Sequence, residues 1–145
     1  MAAYTHLLIA VDFTQGTDEI MQKGVALAKA LGAGISLVHV VEYAQVDLSN
    51  ELVMPQELEL DQELLKLAEN RLHELGAKYN LGSCTHFVRQ GSTKREILNI
   101  AEEENIDLIV IGSHGRSGIQ LLLGSTANTV LHGAPCDVLA VRVKN

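Results

Sequence analysis

Two places in this 145-residue chain carry residue types suited to holding a ligand. The first is Gly112-Ser113-His114-Gly115-Arg116-Ser117-Gly118, followed closely by Gly124-Ser125. Glycines let a backbone approach a ligand and adopt positive φ. Consecutive N–H groups in such a loop can form an anion-binding nest. Gly124-Ser125 stands where a helix would open, and its unbonded N–H groups and dipole favour an anion. Arg116 offers a charge-assisted contact. Gly112, Gly115, Arg116, Gly124 and Ser125 therefore describe a phosphate cradle, or else a glycine-rich turn in which Ser125 only caps a helix. The second place is Asp12, directly after an apolar run. Its carboxylate can accept hydrogen bonds from a ribose, or it can interact with the dipole and N–H groups of a following helix.

Better-known chemistries are excluded. The 112–125 loop does not end in Gly-Lys-Ser/Thr, so it is not a Walker A loop. The glycines at 112, 115 and 118 do not make G-x-G-x-x-G, and they follow a fourth strand rather than a first. The six histidines are dispersed: His39 in a strand, His73 on a charged helix face, His114 in the loop. No H-x3-H or H-E-x-x-H spacing occurs, which predicts no catalytic or structural zinc. No G-x-S-x-G occurs, and no Ser/His/Asp set can be assembled. His114 has no visible partner for general-base work. The expectation is binding, with slow hydrolysis at most.

The elements that must position these residues can be read from apolar spacing. Leu7 to Val11 is a short continuous run stopped by Asp12, as in a strand covered on both faces. Thr14, Gly16 and Thr17 offer a helix start. Ile20, Gly24, Leu27, Ala28 and Leu31 follow at helical spacing, and Gly32 and Gly34 end the helix. Ile35 to Val41 is rich in β-branched residues and reads as a second strand. Glu42 to Gln56 is acidic and without period, a loop that covers something or is partly mobile.

From Glu57 to Tyr79 the spacing predicts a helix, with Leu58, Leu64, Leu65, Ala68, Leu72 and Leu75 sharing its inner face. The run Glu57, Glu59, Asp61 and Glu63 reads as a solvated acidic surface. Cys84 to Val88 is a third strand. Thr93-Lys94-Arg95-Glu96 matches a capping box, with Ile97, Ile100 and Ala101 facing inward behind it. Leu108 to Ile111 is a fourth strand, Thr126 to His132 a short helix, and Val138 to Val141 a fifth strand. Alternating strands and helices predict an α/β fold, a parallel sheet with helices on both faces.

Length suits a single domain over 1–145, able to bury about 70% of the surface its unfolded chain exposes. The composition, 47% hydrophobic and 20% charged, is that of a globular chain. Aromatics make up only 3%, which weakens any reading built on base stacking. A net charge of −7 with no basic run argues against nucleic-acid binding. Cys84 and Cys136 make no metal-like spacing and are expected to be buried as small hydrophobes in a reducing compartment. No stretch approaches the roughly 18 apolar residues of a membrane span. The N-terminal apolar run is too short for a secretion signal, so a cytoplasmic protein is expected. If the fifth strand lies at an edge, it can pair with a second copy, unless Arg142 and Lys144 mask it.

The segments Leu8-Ile9-Ala10-Val11-Asp12, Val38-His39-Val40, Asp107 to Gly118, Leu122-Leu123-Gly124-Ser125 and Ala134-Pro135-Cys136-Asp137-Val138-Leu139 together resemble a universal stress protein. The resemblance covers essentially the whole chain. It implies an open five-stranded parallel sheet, Rossmann-like and similar to the adenine nucleotide α-hydrolases, in the order 3-2-1-4-5. It also implies a cytoplasmic homodimer through the last strand, with Val138, Leu139 and Val141. In one branch it implies ATP binding, or AMP or ADP, with magnesium accompanying the nucleotide. By resemblance Asp12 matches the ribose contact, Val40 the backbone contact beside adenine, and Gly112, Gly115, Gly124 and Ser125 the phosphate contacts. That branch's motif is G-x2-G-x9-G-[S/T], whereas Arg116 to Leu123 here is eight residues. A helix turns about 100° per residue, so the shortening matters if it falls in regular helix and not if a turn absorbs it. The family's other branch, without nucleotide and linked to Ser/Thr phosphorylation, implies a dimeric regulatory protein instead.

Overall fold

The computed structural model describes residues 3–14, 16–42, 55–113 and 125–143. Five strands, β1 (His6–Ala10), β2 (Gly34–Val41), β3 (Thr85–Gln90), β4 (Leu108–Gly112) and β5 (Asp137–Val141), form one sheet in the order β3-β2-β1-β4-β5. Every neighbouring pair is parallel. The fold class and strand order are those expected. Helices α1 (Thr17–Leu31), α2 (Pro55–Lys78), α3 (Thr93–Glu103) and α4 (Ser125–Gly133) alternate with the strands.

Side chains alternate across a strand, and the two sets build two cores. Leu7, Ile9, Leu37 and Val110 pack with Ile20, Met21 and Ala28 of α1 and Leu72 of α2. Leu8, Ala10, Val38 and Ile109 pack with Ile97 and Ile100 of α3 and Val130 of α4. Leu7, Leu8, Ile9, Ile109 and Val110 are fully buried, which is why β1 and β4 read as continuous apolar runs. α1 lies close on β1 because Gly24 leaves room: a Cβ there would stand 2.7 Å from Ile9 Cδ1.

Several local readings need correction. Gly32 ends α1 in the left-handed conformation (φ 67°), but Gly34 already belongs to β2. The 93–96 segment is not a capping box. Ser92 is the N-cap and Thr93 the first helical residue, and Thr93 spends its hydroxyl on Glu42. On α2, Ala68 and Leu72 are buried, whereas Leu64 is 42% exposed. The cysteines are only half-buried, and Cys84 Sγ sits 3.7 Å from His86 Nε2. Val141 is 3% exposed and belongs to the protomer's own core, so its side chain is not available to a partner. Of the expected Glu42 to Gln56 loop, Pro55 and Gln56 already belong to α2 rather than to a loop, and 43–54 lies outside the described residues. Lys144 and the phosphate-loop residues Gly115, Arg116 and Gly124 lie outside them too, as does His114. Among the described residues, no helix is long and apolar enough to cross a membrane.

Candidate functional site

In this sheet β2 and β3 lie on one side of β1, and β4 and β5 on the other. Ligands of open α/β sheets bind beyond the carboxyl ends of strands at such a reversal. A cavity of about 350 Å³ opens there. Its floor is apolar, with Ala10, Val38, Val40, Ile97, Ile111 and Ala127. Its polar lining comes from Asp12, His39, Glu42, Thr93 and Thr126. Gly112 closes the β4 side, where a Cβ would stand 2.8 Å from Ile20 Cδ1.

Of the residues singled out from sequence, Asp12, Val40 and Gly112 come together on this one cavity. Ser125 opens α4, and the next two residues, Thr126 and Ala127, line the cavity. Sequence reasoning missed Glu42 and Thr93. Thr93 Oγ1 donates to Glu42 Oε1 at 2.7 Å, tying the start of α3 to the end of β2. The only signal for Thr93 was its place at a helix start, which pointed to capping.

The turn after β1 is organised around Asp12. Its Oδ1 accepts from the Thr14 N–H at 3.1 Å and from the Thr14 hydroxyl at 2.6 Å, the self-bonding habit of Asp in turns. Between them Phe13 has a φ of 60°, in the left-handed region. That conformation costs a bulky residue about 1–2 kcal/mol. The Phe13 ring packs on His39 at 4.4 Å between centroids and carries the Arg71 guanidinium 4.3 Å above it. His39 is itself fixed, its Nδ1 donating to the Val11 carbonyl at 2.8 Å. An aromatic pair is worth about 0.5–1.5 kcal/mol and an exposed cation–π contact about 0.5–1 kcal/mol, so together they offset the strain.

The charged lining residues among those described are the carboxylates Asp12 and Glu42. Two buried hydroxyls lie near the same end of the sheet, Thr17 Oγ1 at the start of α1 and Ser113 Oγ just past β4. Both lack a hydrogen-bond partner among the described residues. Asp18, in the first turn of α1, accepts from the Tyr79 hydroxyl at 2.6 Å and from Lys78 at 2.9 Å. These bonds lower the Asp18 pKa, while burial and the same bond push Tyr79 up to about 12. The end of α2 is thereby pinned beside the start of α1. Among the described residues, no group of three or more potential ligands is placed to hold a metal ion.

The universal stress protein family model matches residues 3–142. Universal stress protein A homolog 2 of Coxiella burnetii is 39% identical over 145 residues, covering 99% of each chain. Among solved structures, the Methanocaldococcus jannaschii protein MJ0577 superposes with a TM-score of 0.81 at 26% identity, covering 98% of each chain. A universal stress protein in complex with cAMP shares the fold, with a TM-score of 0.66 at 19% identity over 98% of this chain and 99% of that one.

Proposed function

The chain belongs to the universal stress protein family, and on that footing we propose that it is a stress-response protein whose cavity binds ATP or a related adenine nucleotide. One observation carries the reading. A single cavity at the strand ends joins an apolar slot to a carboxylate on one side and to Gly112 and the start of α4 on the other. The base would lie over Val38 and Ile97 beside the backbone of Val40. Asp12 Oδ1 is engaged by Thr14, so Oδ2 would accept from the ribose. The phosphates would run toward Gly112 and the start of α4, and the family resemblance assigns their contacts to Gly112, Gly115, Gly124 and Ser125, with Arg116 and magnesium to balance their charge. The relative solved with cAMP supports a nucleotide as the ligand class. The role is retention of a nucleotide, with slow hydrolysis at most.

Calorimetry with ATP, ADP, AMP and cAMP at millimolar concentration tests this. Asp12→Ala removes a charged acceptor, and hydrogen bonds to charged groups are worth about 1.5–3 kcal/mol, so affinity should fall about tenfold or more. Gly115→Val should also weaken binding. A wild-type protein that binds none of these nucleotides overturns the reading.

A second reading is a dimeric regulatory protein without nucleotide. It is favoured by a described lining whose charges are both negative, and by the eight-residue spacing from Gly115 to Gly124. Either reading is compatible with a homodimer through β5, which is an edge of the sheet and exposes Leu139.

A further inference from the structure

Arg71 lies on α2 and does not line the cavity. Its guanidinium nevertheless sits 4.3 Å over the ring of Phe13, the residue next to Asp12. A cation within about 6 Å of a ring centroid is drawn to the ring face. Phe13 is in the left-handed region, and its ring touches both this cation and His39. The hydrogen bonds that orient Asp12 depend on that turn, because the donor is Thr14, on the far side of Phe13. If Phe13 relaxed to negative φ, the Thr14 N–H would swing away and the carboxylate would lose its anchor.

We propose that Arg71 is a positioning residue: by stacking on Phe13 it holds the 12–14 turn closed and keeps the Asp12 carboxylate presented to the cavity. His39 touches the same ring from β2, and Arg71 adds a second contact from a separate helix. The sugar side of the site is thereby coupled to α2, from which no described side chain lines the cavity. As a statement about ligand affinity this rests on the nucleotide reading above. As a statement about the turn it does not.

The test uses Arg71→Gln, which removes the cation, and Arg71→Lys, which keeps one. Two readouts are taken: hydrogen exchange of the Thr14 amide in the ligand-free protein, and ATP affinity by calorimetry. Exchange of β4 amides and the melting temperature serve as checks that the fold is intact. Arg71→Gln should speed Thr14 exchange and weaken ATP binding, each about two- to fivefold for a contact of this kind. Arg71→Lys should recover most of both, and β4 exchange should not change. Unchanged Thr14 exchange in Arg71→Gln overturns the proposal. If Thr14 exchange rises while ATP affinity is unchanged, the coupling to the ligand is overturned. If the wild type binds no nucleotide, the nucleotide reading and the ligand coupling both fail, and the exchange result alone decides whether Arg71 holds the turn.

Discussion

Asp107 shows how much one side chain can settle far from the cavity. It precedes β4 and accepts from the Thr5 N–H at 2.7 Å, the Thr5 hydroxyl at 2.8 Å and the His6 N–H at 3.0 Å. It thus fixes where β1 begins against β4, and with it where their far ends deliver Asp12 and Gly112. Burial alone would raise its pKa, but the bonds from Thr5 and His6 outweigh that and hold the carboxyl below its ordinary value of 3.8. A carboxylate with a depressed folded pKa contributes stability above the ordinary value and loses it as pH falls through the folded one. Asp107→Asn should therefore destabilise the protein at pH 7 by about 1–2 kcal/mol, a typical loss for charge-assisted bonds at a partly exposed site. The gap to wild type should narrow below pH 3.8. Urea titrations across pH measure this, and a gap that does not change with pH would contradict it.

At the scale of elements, the packing of α2 on β3 turns on a notch. Gly76 is buried in α2, and a Cβ there would stand 2.5 Å from His86 Nε2 on β3. His73 packs against the same ring in a tilted arrangement, 5.3 Å between centroids, and Cys84 Sγ lies 3.7 Å from its Nε2. Burial first, and then the charge of His73, lowers the His86 pKa from its ordinary 6.5. The fold thus favours neutral His86: its contribution is complete above pH 6.5 and is lost as pH falls from there through the folded value. His86→Gln should flatten the fall in unfolding free energy over that window. Gly76→Ala should displace the ring, and overpacking of about 1–3 kcal/mol less about 1 kcal/mol of helix propensity gained leaves a net cost of at most about 2 kcal/mol at neutral pH. The same helix shows where sequence reading stops. Leu64 has the helical spacing of a core residue but is exposed, because 24 residues of helix span roughly 36 Å and the six residues of β3 only about 20 Å. β1, β4 and their end residues Asp12 and Gly112 were legible because strands buried on both faces leave uninterrupted apolar runs. The Glu42–Thr93 bond and the stack of Arg71 on Phe13 were not, because each joins residues more than fifty positions apart that only the folded sheet brings together.

At the scale of the whole molecule, the two edges of the sheet differ. β3 carries His86 and Arg89, and Arg89 pairs with Glu103. β5 is apolar after its first residue, with Leu139 37% exposed. Beside it lies an open cavity of about 470 Å³, to which Leu27 of α1, Leu131 of α4, Val138 and Leu139 contribute. Leu131 is itself 45% exposed. An apolar edge strand flanked by apolar side chains from both helical layers is a template for pairing, which soluble proteins otherwise blunt with charge. A second copy would present the same edge in return, and a two-fold axis would close the contact after one addition. Since Val141 is committed to the core, the side-chain part of such a contact falls to Leu139, Leu131 and Val138. Light scattering should then give the mass of a dimer at high micromolar concentration. Leu139→Arg places an unpaired charge at the centre of that contact and should give a folded monomer with unchanged far-ultraviolet dichroism. A wild-type protein that stays monomeric would rule the interface out. A dimer that survives Leu139→Arg would place the contact elsewhere. Nucleotide affinity provides a separate check, because the cavity lies at the opposite ends of the strands from Asp137, the first residue of β5. On the nucleotide reading, breaking the edge contact should leave ATP binding within about twofold of wild type, as expected for sites that share no contacts.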